Sequence, residues 1–194
     1  MKIDYISDLH LDHWVNKLND SPKGRNKIVD FVANLYPQDG DILIIAGDLG
    51  HYNSQVKTML EIFKGLYKEV FVVSGNHDMY LVSSGQESKY NYNSLERLSE
   101  LEENCKELGI HYLDGQVVEI DGIKIGGTGM WYDLPTDSDI IDWTNVMNDS
   151  RLILNGYNRV HQAYSYGTTE RKVTFDTQKF FANEKEKLEK MVKL

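Results

Sequence analysis

The sequence predicts an α/β fold built on parallel strands, and three observations carry that expectation. Three short apolar runs, Ile3–Ile6, Ile42–Ala46 and 70–73, are rich in β-branched residues and give way to small or polar ones. Helical patterns of crossover length separate them. Each run is followed by a segment of potential ligands: Asp8-Leu9-His10, Gly47-Asp48 and Gly75-Asn76-His77-Asp78. Continuous apolar runs of this length suit strands buried on both faces of a parallel sheet. In such sheets the loops at the carboxyl ends of the strands converge over a rigid base, and that is where sites form.

After the first strand, Ile28, Phe31, Val32 and Leu35 recur at offsets that describe one apolar helix face, and Pro37 ends the pattern. A second helix follows the second strand, with Ser54 as its expected N-cap and Val56, Met59, Leu60, Phe63 and Leu66 as its buried stripe. The order strand, helix, strand, helix, strand makes the first three strands parallel, joined by right-handed crossovers. A third helix starts near Ser94 and carries Leu95, Leu98, Leu101, Cys105 and Leu108, with Gly109 as its stop. Next, 117–120 and 123–125 flank Asp121-Gly122, a two-residue connection that favours a type I′ hairpin. From 128 to 174 the chain is rich in Asp, Asn, Tyr and Trp without steady periodicity, and it is expected to be irregular surface with at most a short helix. A last helix over 177–194 places Phe181, Leu188, Met191 and Val192 on one face.

The 194 residues suffice for one well-buried domain, so 1–194 is expected to be a single unit. The net charge of -9 disfavours a broad surface for nucleic acid or an anionic membrane, although bound cations reverse the field locally. Cys105 is the sole cysteine, which excludes an intrachain disulfide and fits a reducing compartment. No leader is visible and no apolar run approaches the ~18 residues of a membrane-spanning helix. The expected location is the cytoplasm.

In a strand-end extension, residues two apart point the same way, so Asp8 and His10 can grip one cation; a loop hydrogen-bonding role is the alternative for each. Asp48 adds a carboxylate whose two oxygens can bridge two cations, and Gly47 lets backbone pass close by. The amide oxygen of Asn76 is a neutral ligand, the His77 imidazole can act as an acid toward a leaving group, and Asp78 can orient that ring.

Taken together and in order, these segments resemble three of the five motifs of the calcineurin-like metallophosphoesterase family: Asp-x-His, Gly-Asp and Gly-Asn-His-Asp/Glu. The stretch 147–153 is similar to one found before the later histidines in some small members. The resemblance implies a metallophosphoesterase-like β-sandwich flanked by helices. It further implies that Asp8, His10 and Asp48 hold one metal while Asp48 and Asn76 hold another. Two such cations would activate a water against phosphorus, with His77 protonating the departing alkoxide and Asn76 touching the phosphate. Mixed nitrogen and oxygen ligation suits Mn, Fe, Zn or Ni alike. Asp142, Trp143, Asp149 and Arg151 are candidates for the substrate mouth, with loop packing as the alternative, and Arg151 joins Asn76 and His77 as a substrate-binding candidate.

The family's last two motifs, a lone His and Gly-His-x-His, have no counterpart among His10, His13, His51, His77, His111 and His161. For the four histidines outside the motifs a structural role is expected, with His51 the best exception because of its nearness to Asp48. In the family a helix like the last one leads into a further strand, so the resemblance implies a domain incomplete at its C-terminus. An incomplete sheet would expose an apolar face and a strand edge, with marginal stability or association as the consequence. The expected function is metal-dependent hydrolysis of a small phosphorylated substrate. A non-catalytic module of the same fold and, less favoured, a DNA-processing nuclease are the alternatives.

Overall fold

Four parallel strands, β1 (Ile3–Ile6), β2 (Ile42–Ala46), β3 (Glu69–Val73) and β4 (His111–Tyr112), lie side by side in sequence order. The computed structural model describes residues 1–15, 21–35, 39–161, 168–174 and 176–193; Pro37 and Leu194 lie outside them. Alternation along the central strands sends side chains to two different cores. Leu43, Ile45, Val70 and Val72 meet the helices, whereas Ile42 and Phe71, with Ile44 and Val73, meet the hairpin strands β5 (Val117–Ile120) and β6 (Ile123–Gly126). Burial on both faces is why these runs are apolar without a break. The Asp121-Gly122 turn has positive φ at both residues (50° and 81°), the signature of the expected type I′ connection. The parallel sheet flanked by helices agrees with the expected α/β architecture, with the β5–β6 hairpin as the second layer. That layer leaves Tyr5 and Ile3 of the edge strand exposed.

On the helical side, α1 (Leu11–Trp14) is a single turn, and α2 (Pro22–Ala33) starts from Ser21, whose hydroxyl accepts from Gly24 N, with Pro22 in the first turn. Helix α3 (Asn53–Leu66) is capped by Tyr52, without a side-chain hydrogen bond, and not by the expected Ser54; its Leu66 is exposed. The side chain of Asn53, the stronger capping type here, is instead drawn into contacts with Arg97 and Glu100.

Beyond β3 come a 3-10 turn (His77–Met79), α4 (Ser84–Lys89) and α5 (Ser94–Glu107). Helix α5 ends as expected at Gly109 (φ 66°), where Ile110 N donates to Cys105 O and Gly109 N to Lys106 O, a Schellman closure. Its buried stripe is rotated from the expected one. Ser94, Arg97, Leu101 and Cys105 face inward, while Leu95 is exposed. Cys105 packs as a small hydrophobe, and burial pushes its thiol up to about 12.

The segment 128–174 is more ordered than its composition suggests. Thr136 and Asp139 form a reciprocal capping box that starts α6 (Asp137–Val146); α7 (Asp149–Leu152) and a hairpin of β7 (Leu154–His161) and β8 (Thr168–Thr174) follow. Its weak hydrophobic periodicity hid these elements, because their stability comes from caps and pairing more than from an apolar stripe. The last helix, α8 (Thr177–Met191), packs Phe180 and Phe181 against Met79, Tyr80, Trp131 and Ile153. Val192, expected on its apolar face, is exposed, whereas Thr177 and Glu184 are buried, Glu184 bonded to Thr128 and Lys187. Among the described residues no helix is long and apolar enough to cross a membrane.

Candidate metal centre

Three loops at the carboxyl edge of β1, β2 and β3 build the site, and their backbones are unusual. Asp8 (φ 54°), His10 (φ 40°) and Asp48 (φ 54°) all sit in the left-handed region, which costs a non-glycine residue roughly 1–2 kcal/mol. Such conformations persist where neighbours over-determine them. Here the first two loops are zipped together: Asp8 N donates to Gly47 O (3.3 Å), His10 N to Asp48 O (2.9 Å) and Leu11 N to Leu49 O (3.0 Å). Asp8 and His10 thus converge through left-handed turns and not through the strand alternation expected from their spacing.

The two motif glycines are required by space. A Cβ on Gly75 would lie 2.2 Å from Asp48 Oδ1, and one on Gly47 would lie 3.0 Å from the Gly75 backbone. Two buried charges then brace the loops. Asp78 accepts from Gly75 N (2.8 Å), Asp48 N (2.9 Å), Leu49 N (3.0 Å) and Gly50 N (3.4 Å). Arg97 does the reverse, donating to His77 O (2.8 Å), Tyr80 O (2.7 Å) and Gly50 O (2.5 Å). Burial pushes the Asp78 carboxyl up to about 6, against the opposing pull of Arg97 and the backbone N–H groups.

The functional side chains converge above this brace. One donor atom each from His10, Asp48 and His77 lies within 4.8 Å of the others. His10 Nε2 is 3.8 Å from Asp48 Oδ2 and 3.9 Å from Asp8 Oδ1, the latter on a largely exposed side chain at the mouth. His10 Nδ1 is buried without a hydrogen-bond partner among the described residues. The His10 imidazole and the Asp48 carboxylate, with Asp8 at the mouth, form a donor set suited to a first-row divalent cation, and the His77 imidazole stands beside them. These residues fit one cation. A second would have Asp48 and Asn76.

Asn76 is aimed by its neighbours. Its Nδ2 donates to Asp149 Oδ1 (2.7 Å) and to the Tyr80 hydroxyl (3.2 Å), so Oδ1 is the end of the amide left to act as a ligand. Asp149 is fully buried on the first turn of α7, and its Oδ2 has no partner among the described residues. Burial, with Asp149 beside it, pushes the Tyr80 hydroxyl upward.

The His77 ring is held by His51 and not by Asp78, whose hydrogen bonds all run to backbone; this corrects the expected orienting role of Asp78. His51 Nε2 lies 3.3 Å from His77 Nδ1 with the rings nearly parallel, and His51 Nδ1 lies 3.2 Å from Asp12 Oδ2. Burial holds both imidazoles below the ordinary histidine value, favouring their neutral forms.

Of the remaining candidates, Arg151 is exposed on α7 without an ion pair among the described residues, and Asp142 is exposed. Trp143 is buried and its indole donates to the Tyr132 hydroxyl. His13 is mostly exposed, edge-on to His10 at 5.4 Å. His111 stacks on Phe71 and meets Glu69 at 3.1 Å, a structural role as expected. Sequence reasoning missed Asp12, Arg97 and Tyr80, and it named Asp149 only as a candidate for the substrate mouth, whereas its carboxylate accepts from Asn76 Nδ2. The one available signal was Arg97, a charge at helical spacing from Leu101 and Cys105.

Comparison with known proteins gives three findings. A family model described as calcineurin-like phosphoesterase matches residues 1–187. An uncharacterized protein, L509, of Acanthamoeba polyphaga mimivirus is 27% identical over 151 residues, which cover 77% of this chain and 50% of that protein. The crystal structure of the phosphopantetheinyl hydrolase of Mycobacterium tuberculosis superposes with a TM-score of 0.63 at 19% identity, covering 100% of this chain and 64% of that one. The chain therefore spans about half the length of its curated relative.

Proposed function

This chain belongs to the calcineurin-like phosphoesterase family, and we propose that it hydrolyses a phosphate ester of a small molecule with the help of divalent cations. The observation that carries this reading is the convergence of His10, Asp48 and His77 donors within 4.8 Å at the carboxyl edge of a parallel sheet.

Asp8, His10 and Asp48 would hold one cation, and Asp48 with Asn76 a second, Mn, Fe, Zn or Ni each suiting the donors. When bound, such ions supply an activated water and neutralise the phosphoryl oxygens. The chain's own residues do the rest. Asn76 and His77 contact the phosphoryl group, and Arg151 is kept as an outer substrate contact. As the water oxygen bonds to phosphorus, the ester P–O bond breaks and His77 gives its proton to the departing alkoxide. Asp78, through the loop backbones, keeps Asp48 and His77 in place. Cys105, the sole cysteine, supports a cytoplasmic setting.

A second reading, a metal-binding module without turnover, is supported by the thin ligation of the second position. A nuclease is disfavoured by the net charge of -9. The test is direct. Chelator-treated chain reloaded with Mn is expected to hydrolyse p-nitrophenyl phosphate or its bis ester, and to lose ~10²-fold or more on His77→Gln. Tight Mn binding with turnover of neither ester would favour the module.

A further inference from the structure

The end of α6 and the chain after β6 enclose an open groove of about 340 Å³, at the small end of the about 300–1,000 Å³ that small-molecule sites occupy. Tyr132 forms one wall, Val146 and Met147 the other, and Trp143, whose indole donates to the Tyr132 hydroxyl, ties the two together. Both walls are fastened to the turn that carries Asn76 and His77. Tyr132 stacks on Trp131 (5.1 Å between centroids), which packs with Met79 and Tyr80, and the Tyr80 ring lies 4.4 Å from that of His77. On the other side the Ser150 hydroxyl donates to Met147 O (2.8 Å), and Asp149, its neighbour in sequence, accepts from Asn76 Nδ2 (2.7 Å). Two residues of chain span at most about 7 Å, so Met147 stands close to the residue that aims Asn76.

We propose that this groove takes the alcohol portion of the substrate, and that this portion is apolar and carries no negative charge. The inference rests on the phosphoester-hydrolysing reading above and names its substrate class. Val146 is 73% exposed and Met147 beside it is exposed too, so apolar surface remains to be covered at the end of α6. An alkyl or aryl group laid between these side chains and Tyr132 removes that surface from water. Asp139 and Asp142 stand in the lining, and among the described lining residues none is basic. A second phosphate or a carboxylate on the alcohol meets that negative field, whereas an uncharged ring or chain does not. The groove thus selects among esters, and the phosphoryl group stays with Asn76 and His77.

Two measurements on the full chain test this. In Mn-loaded protein, kcat/KM is compared for phenylpropyl, propyl and carboxypropyl phosphate, each substituted at the far end of the chain so that the leaving alcohols have similar basicity. Phenylpropyl phosphate is expected to exceed propyl phosphate by ~10-fold or more, and the carboxylate ester to fall below it. Val146→Asp is expected to bring the phenylpropyl-to-propyl ratio close to one, and Asp142→Lys, at an exposed position, to relieve the penalty on the carboxylate. In chelator-treated protein, phenylpropanol is expected to bind saturably, shifting the Trp143 indole N–H resonance, and to bind ~10-fold or more weakly to Val146→Asp. Met147→Ser takes the place of Val146→Asp if that variant misfolds. A phenylpropyl-to-propyl ratio near one in the wild type, a ratio unchanged by either substitution in the wall, or no saturable shift of Trp143 overturns the groove as the alcohol site. Saturable phenylpropanol binding with cleavage of none of the three esters supports the groove and overturns the proposed hydrolysis instead.

Discussion

Asn76 Nδ2 donates to Asp149 Oδ1 at 2.7 Å across 73 residues of sequence, joining the loop after β3 to the first turn of α7. This bond joins the otherwise polar, weakly patterned region after β6 to the candidate metal centre. It also sets the amide of Asn76 with its oxygen free. Orientation of a ligand by a neighbour of this kind typically accounts for 10–100-fold in metal affinity.

Asp149→Ala is expected to weaken Mn binding by roughly 10-fold or more and to lower stability by about 1–3 kcal/mol through the unpaired amide. Asp149→Asn, which can still accept from Nδ2, is expected to keep most of the affinity. Isothermal titration with Mn and thermal melts decide it. Unchanged affinity in Asp149→Ala would mean that Asn76 needs no such guide.

Asp78→Asn replaces an acceptor of four backbone N–H groups with one that can turn donors against them, and removes a negative charge that favours the buried Arg97 guanidinium through space. Leaving buried donors unsatisfied in this way costs about 1–3 kcal/mol each. Urea denaturation is expected to show a loss of that order, and a change under about 1 kcal/mol would remove Asp78 and Arg97 as the brace.

A Cβ on Gly75 would lie 2.2 Å from Asp48 Oδ1 and 2.8 Å from Asp48 N, so Gly75→Ala must displace a ligand or its loop. The expected outcome is loss of Mn binding with the helical circular dichroism retained. Gly65, in α3, has open space around its would-be Cβ, and Gly65→Ala is expected to stabilise by about 0.5–1 kcal/mol with Mn binding unaltered.

Metal-free protein is expected to lose stability as the pH falls below 6.5, the ordinary histidine value, because His51 and His77 bind protons less readily folded than unfolded. Their contribution is present above that value and lost as the pH falls toward their lowered folded values. Asp78 acts in the opposite sense. Its carboxyl, raised from 3.8 to about 6, contributes stability at low pH that is lost as the pH rises through about 6. Comparing wild type with a His51→Gln/His77→Gln double variant cancels Asp78, and the variant is expected to show the shallower loss on the acid side.

Local chemistry was enough to read the sheet and the loops of the candidate site. Unbroken β-branched runs gave β1 to β3, Asp121-Gly122 gave the hairpin, Gly109 gave the end of α5, and the polar segments after each strand gave Asp8, His10, Asp48, Asn76 and His77. These features depend on a few neighbouring residues, whose side-chain periodicity and backbone preferences survive in any context. Which polar groups meet was not readable in that way. Asp12 on His51, His51 on His77, Asp149 on Asn76, and Arg97 among three carbonyls are partnerships made when distant segments share one desiccated space. There an unpaired polar atom costs more than a misplaced apolar one, and packing chooses the partner. The rotation of α5 shows the difference. Periodicity expected Leu95 to face inward, and three carbonyls of two loops called for Arg97 instead.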